Sequence, residues 1–252
     1  MDKNPTSYNA YLNSRPKRWE NDAVDLMIKM CRKHDCPIHI VHVSSDEALA
    51  KIKDAKKEGL PITSETCAQY LFFNAEEIPD GQTIFKCAPP IREKANNSNL
   101  KEALNSGILD FITTDHSPAP PEMKEIESGN LKKAWGGIAG IQFLLQASWT
   151  SLKDTMSLEQ FIPLLTEKPA QFLQVQNQKG IFKKGCSADI VIWNPDEQTK
   201  VSIDDILFRH KISPYLGNSF YGKVHRTIVN GSVVYKNNQI LHSNKGKWLL
   251  HQ

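Results

Sequence analysis

From residue 20 to residue 114 the chain alternates amphipathic stretches with short β-branched runs, and that alternation restricts it to parallel strand–helix–strand units. Parallel neighbours need a crossover of a dozen residues or more, usually a helix, and the crossover is right-handed. Glu20 to Lys33 sets Ala23, Val24, Met27, Ile28 and Cys31 on one helical face. Pro37 to Val43 is a β-branched strand, and Ser44-Ser45-Asp46 is a cap for a helix through Ala48, Leu49 and Ile52. Gly59 and Pro61 stop that helix before a second strand, Ile62 to Cys67. Thr83 to Cys87 is expected to be a third strand closed by Pro89-Pro90, Asn99 to Ser106 a helix ended by Gly107, and Ile108 to Thr114 a fourth strand. Helical stretches are expected from Ser157 through Leu165 and around Pro169 to Leu173.

After Gly180 the pattern turns to β structure. Asn230-Gly231 stands between two β-branched runs, and both residues tolerate the positive φ of a type I′ hairpin turn. The expected organisation is therefore α/β: a (β/α) barrel portion over residues 1–178 and a small β-rich, sandwich-like subdomain over 179–252. A complete (β/α)₈ barrel takes roughly 250 residues, yet only about four βα units fit before residue 180. Half a barrel has two open sheet edges and an interior without its opposite wall.

The 31 basic and 28 acidic side chains give a formal charge of +3, too balanced for a nucleic-acid or anionic-membrane footprint. The lysines from Lys51 to Lys57 are interrupted by Asp54 and apolar residues, which is the pattern of a solvated helix face. Five cysteines without a C-x-x-C pair argue against a disulfide framework or a zinc knuckle and for reduced thiols in the cytosol. No apolar run reaches the roughly 18 to 20 residues that span a bilayer, and Met1 to Ser7 are polar rather than signal-like. A soluble, cytoplasmic protein is expected.

Thr113-Thr114-Asp115-His116-Ser117-Pro118 places a carboxylate and an imidazole where an apolar strand meets its C-terminal loop, the edge at which α/β folds gather their chemistry. The same residue types also make ordinary turns. His39 and His42 are three apart on one expected strand and so point to opposite faces. His42, nearer the C-terminal end, is the candidate metal ligand, and His39 the hydrogen-bonded packing residue. Glu65 and Cys67 are placed to line the same site, although Cys67 serves equally as a small core residue. Trp135-Gly136-Gly137-Ile138 marks a loop where backbone approaches something closely, through binding or through chain geometry.

Several of these segments recur as one ordered set. Residues 39–45 read His-Ile-Val-His-Val-Ser-Ser, 65–71 Glu-Thr-Cys-Ala-Gln-Tyr-Leu, 85–92 Phe-Lys-Cys-Ala-Pro-Pro-Ile-Arg, 113–118 Thr-Thr-Asp-His-Ser-Pro and 133–138 Lys-Ala-Trp-Gly-Gly-Ile. With Tyr11 to Pro16 before them and His210 to Gly217 after, they resemble allantoinases, a family of cyclic amidohydrolases, and more so than dihydroorotases or dihydropyrimidinases. The resemblance implies a (β/α)₈ barrel holding two zinc ions through four histidines, a carboxylated lysine and an aspartate. It implies a hydroxide between the metals that opens the hydantoin ring of allantoin to allantoate, and a homo-oligomer at full length. Asp115 matches the aspartate that binds one metal and shuttles the proton. His42 matches the fifth-strand histidine, and the backbone at Ala88 and Gly140 falls where relatives hold substrate.

The departures are as pointed. No H-x-H or fourth-strand lysine precedes His42, so the chain corresponds to the C-terminal half of the barrel with its trailing β subdomain. Where the family has a sixth-strand histidine, this chain has Ala68-Gln69, and an amide is a poor zinc ligand beside imidazole. His42 and Asp115 remain, two ligands of six, so the zinc site of this chain is incomplete. Three functions stay open: part of an allantoinase completed by further strands, a non-catalytic binding or oligomer-forming relative, or a hydrolase of other hydantoins or dihydropyrimidines.

Overall fold

A computed structural model describes residues 4–241 and 246–249. The remaining positions, including Met1 to Lys3 and parts of the expected β subdomain's tail, lie outside the described residues. The first helices are the short α1 (Tyr8–Asn13) and the 18-residue α2 (Lys17–His34). Helix α2 carries Arg32, Lys33 and His34 in its last turn, where cations suit the helix dipole, and ends on left-handed Asp35. Strand β1 (Ile38–Ile40), α3 (Ala48–Lys57), β2 (Ile62–Cys67), α4 (Ala68–Phe72), α5 (Lys94–Asn105) and β3 (Phe111–Thr113) follow.

The three strands form a parallel sheet in the order β1-β2-β3, with Ile38 opposite Ile62 and Glu65 opposite Phe111. Period-two alternation then divides its residues. Ile38, Ile40, Ile62, Ser64, Thr66 and Ile112 share one face, and His39, Thr63, Glu65, Cys67, Phe111 and Thr113 share the other. Val24, Ile28, Cys31, Ile52, Ala55, Leu100 and Leu104 supply the helices' contribution to the core. Ile52 and Leu100 have no exposed surface, so truncating either to alanine costs about 2–5 kcal/mol.

Beyond β3, α6 (Leu144–Leu152), α7 (Leu158–Phe161) and α8 (Glu167–Phe172) lead to an antiparallel sheet of β4 (Ile190–Lys200), β5 (Ser219–Val229), β6 (Ser232–Lys236) and β7 (Gln239–Ile240), in that order. The hairpin turns where expected. Asn230 and Gly231 both have positive φ, 48° and 77°, between β5 and β6. Phe143, Tyr215 and Phe220 join the two parts, with ring centroids 5.3 to 5.9 Å apart, and Trp149 on α6 packs edge-on against Trp193 on β4.

Three expectations are corrected. Residues 83–87 are not a strand but a 3₁₀ turn over Thr83–Phe85, because β2 pairs directly with both β1 and β3 and leaves no slot between them. Ser44-Ser45-Asp46 does not cap α3, whose first residue follows Glu47 with no side-chain cap. Those side chains serve tertiary contacts instead: Ser45 Oγ donates to Asn21, and Asp46 accepts from Lys17 Nζ at 2.8 Å. The expected helix at Ser157–Leu165 splits into α7 and a 3₁₀ turn, since Pro163 cannot donate into an α-helical ladder.

Candidate active site

The loops at the C-terminal ends of β1, β2 and β3 lie side by side because the strands do. β1 stops at Ile40, and His42 adopts left-handed backbone at φ 41°, so strand parity does not decide where its side chain points. The loop is sewn to β2 by Val43 N–H donating to Glu65 O at 2.8 Å and by Thr66 Oγ1 donating to Val43 O at 2.8 Å. Glu20 holds it from the other side. One carboxylate oxygen accepts the Ser44 and Ser45 N–H groups at 2.7 and 2.8 Å, and the other meets buried Arg92 at 3.2 Å. His42 itself is half-buried and makes no hydrogen bond among the described residues.

The segment from Cys87 to Ile91 passes beside these loops, suspended from three buried tyrosines. Tyr11 Oη donates to Cys87 O at 2.7 Å, Tyr70 Oη to Pro89 O at 2.9 Å and Tyr8 Oη to Ile91 O at 3.0 Å. Ser44 Oγ adds a bond to Pro90 O. Within this tethered run Ala88 alone is exposed, and its backbone N–H and C=O have no partner among the described residues. A fixed peptide with free polar groups is suited to pair with an amide ligand.

Asp115 follows β3 in left-handed backbone, φ 43°, exposed and without a hydrogen bond among the described residues. Its charge reaches three neighbours. Burial pushes the Cys67 thiol and the Tyr70 phenol well up and the Cys87 thiol to about 12, and the Asp115 carboxylate adds to all three. His116 is engaged elsewhere: its Nδ1 accepts the N–H groups of Gly140 at 3.1 Å and Ile141 at 3.3 Å. That fixes the ring proton on Nε2, and burial lowers the pKa of the imidazole. Ser117 N–H donates to Ile138 O at 3.0 Å, so the aspartate loop and the 135–141 loop are joined by an isolated parallel bridge between His116 and Ile138.

Gly140, expected to present backbone to a ligand, is buried and already employed. Its N–H goes to His116, its C=O accepts from Phe143 N–H at 2.9 Å, and a Cβ there would meet the Tyr215 ring at 2.9 Å. Close approach of Tyr215 accounts for the missing side chain. Gly136, by contrast, is exposed, and a Cβ on it would lie 3.8 Å from that of Ala88.

Two lysines missed by the sequence reading stand behind this surface. Lys124 is 3% exposed, and its three donors go to the carbonyls of Lys86 at 3.1 Å, Trp135 at 3.1 Å and Gly137 at 2.9 Å. Lys86 Nζ donates to Ala134 O at 2.5 Å and Lys132 O at 3.4 Å. Burial lowers the Lys124 ammonium to about 8; the neighbouring Cys87 opposes that shift and Lys86 adds to it. Spacing carried no signal for these residues, or for the tyrosines, because their partners lie many residues away.

His39 and Glu65 lie below the loops on the sheet face they share. His39 Nδ1 is 2.8 Å from Thr63 Oγ1, its Nε2 is 3.2 Å from Glu65, and its ring stacks on Phe111 at 5.3 Å. The other Glu65 oxygen accepts from Thr113 Oγ1 at 2.9 Å. His39 is thus a hydrogen-bonded packing residue. Gln69, at the start of α4, is 1% exposed and its Oε1 has no partner among the described residues. Among the described residues no group of three or more His, Cys, Asp or Glu side chains is placed to hold a metal ion. With His42 and Asp115 as its donors and a neutral amide at Gln69, the chain does not by itself fit a metal pair, since even one catalytic zinc usually takes three protein ligands.

The chain is similar to the probable allantoinase of Oryza sativa subsp. japonica, with 43% identity over 92% of this chain and 48% of that protein. It is also similar to the allantoinase of Saccharomyces cerevisiae, with 37% identity over 91% of this chain and 50% of that protein. Among solved structures, it matches the L-hydantoinase (dihydropyrimidinase) from Arthrobacter aurescens with a TM-score of 0.87 and 30% identity, covering 94% of this chain and 53% of that one. The chain spans about half the length of the curated relatives it matches. Residues 18–234 match the amidohydrolase family, and the chain belongs to that family.

Proposed function

We propose that this chain supplies the C-terminal part of an allantoinase active site, opening the hydantoin ring of allantoin to allantoate. The observation that carries the proposal is Asp115: an exposed carboxylate with no hydrogen-bond partner among the described residues, at the C-terminal edge of a parallel sheet, whose charge reaches Cys87, the residue before the unpaired peptide of Ala88. Its similarity to proteins named allantoinase selects the ring. Residues 1–178 then form the C-terminal half of a (β/α)₈ barrel and 179–252 its β-rich subdomain, acting in the cytoplasm within a homo-oligomer. Ala88 pairs with the ring amide, and Gly140 shapes the same wall through His116. Asp115 accepts a proton from the attacking water and returns it to the ring nitrogen as the C–N bond breaks, leaving a ureido NH2 and a carboxylic acid that gives up its proton to solvent. When bound, zinc would polarise the carbonyl and activate water. His42 and Asp115 are the donors this chain offers it, and further ligands must come from additional βα units.

Gln69 favours a second reading, a binding protein that has lost turnover, because it puts a buried amide where the family resemblance expects imidazole. Allantoate formation tests both: zinc-supplemented chain is assayed alone and after mixing with the N-terminal half of an allantoinase. Turnover by the mixture, abolished by Asp115→Asn, is the expected result. A mixture that assembles and binds zinc but never consumes allantoin overturns catalysis in favour of the second reading, and turnover of dihydropyrimidines with a higher kcat/KM than allantoin overturns the substrate.

A further inference from the structure

We propose that Lys124 is a positioning residue that holds the 135–137 loop against Ala88 and so pre-forms the wall that receives the cyclic amide. The inference rests on the functional reading above and adds a residue that touches no substrate. A buried ammonium is costly to retain without a carboxylate partner, since three carbonyls only partly replace its hydration. The structure nonetheless buries one here. All three carbonyls belong to the two segments that must stay in register: Lys86 begins the tethered run to Ala88, and Trp135 and Gly137 flank exposed Gly136. Lys86 reaches back across the same gap to Ala134 and Lys132, so the segments are clasped from both sides. Met123 O accepts the Trp135 N–H at 2.7 Å, which ties the lysine's own turn to the loop it holds.

The geometry explains why a cation is used. The wall is built from backbone, so its shape depends on which way successive peptides face. One tetrahedral donor can turn three carbonyls inward to a single point, which an apolar side chain cannot do. Peptides held in this way lose little freedom when a ligand arrives.

The test compares wild type, Lys124→Met, Lys124→Arg and Lys86→Met. Two quantities are read: amide exchange residue by residue in the chain, and binding of a 5-substituted hydantoin by ligand-observed NMR to the chain mixed with the N-terminal half of an allantoinase. In Lys124→Met, exchange at Trp135 and Gly140 is expected to speed up by about tenfold or more while Tyr221 in β5 stays within about twofold, since opening is local. Hydantoin binding is expected to weaken by about tenfold, and arginine to restore most of it. If Lys124→Met does not fold, Lys86→Met is expected to show the same pattern more weakly. Exchange at Trp135 and Gly140 that stays at the wild-type rate overturns the clasp. Faster exchange with unchanged hydantoin affinity overturns positioning and leaves a structural lysine. If the wild-type mixture assembles but binds no hydantoin while the exchange pattern holds, the cyclic-amide reading fails, and the role in positioning that ligand fails with it.

Discussion

Gly136 and Gly137 are adjacent, yet the structure assigns them opposite tolerance to a methyl group. A Cβ on Gly137 would stand 2.5 Å from Ser117 Oγ, 2.6 Å from its Cβ and 2.7 Å from its carbonyl oxygen. Ordinary carbon contacts begin near 3.5 Å, so relief requires roughly 1 Å of separation. Rotating the serine does not provide it, because one of the three atoms is backbone. Moving the loops apart strains the Ser117 N–H to Ile138 O bond and the pairing of His116 with Ile138. Overpacking costs about 1–3 kcal/mol and a weakened hydrogen bond about 1 kcal/mol, so Gly137→Ala is expected to lose about 3 kcal/mol. On Gly136 the nearest atom is 3.8 Å away, an ordinary contact, and Gly136→Ala is expected within about 0.5 kcal/mol of wild type. Equilibrium unfolding in urea, with the slope checked for constancy, measures both. Equal stability of the two variants, or a larger loss from Gly136→Ala, refutes the close contact between the aspartate loop and the 135–141 loop.

Gln69→His is expected to raise zinc affinity by about tenfold or more, because imidazole replaces an unsatisfied amide; competition with a chromophoric chelator reads it, and unchanged affinity places residue 69 away from the metal. The folded chain releases the Lys124 proton near 8 and the unfolded chain near 10.5, so between those values the unfolded state binds more protons and stability rises with pH. Relative to Lys124→Met, wild type should gain about 3 kcal/mol across that window in urea titrations, and a flat difference shows that the ammonium is not desolvated. Cys36 and Cys186 are partly exposed, whereas Cys31, Cys67 and Cys87 are buried. A disulfide reagent should therefore label the first two in the native chain and the other three only on unfolding, with mass spectrometry to identify the sites.

Local chemistry made much of this molecule legible. Alternating apolar periods placed α2, β2 and α5, and Asn230-Gly231 placed the hairpin, because helix faces, strand pleats and type I′ turns depend on neighbours a few residues apart. Asp115 after one β-branched run and His42 near the C-terminal end of another are candidates because of those positions and the motifs around them. What sequence could not decide lay in contacts between distant segments. Whether residues 83–87 formed a strand depended on β2 already having two partners. Whether Ser44 to Asp46 capped a helix depended on Glu20, Asn21 and Lys17 arriving from α2. That the absent side chain of Gly140 makes room for Tyr215, 75 positions along, depended on the fold. Sequence by itself determined the alternation of helices with β1, β2 and β3, the switch to β structure after residue 180, and the residue types able to carry chemistry. Tertiary structure alone decided that three tyrosines and two lysines hold the 86–91 and 132–137 segments, because a buried donor satisfies whichever carbonyl the fold brings within about 3 Å.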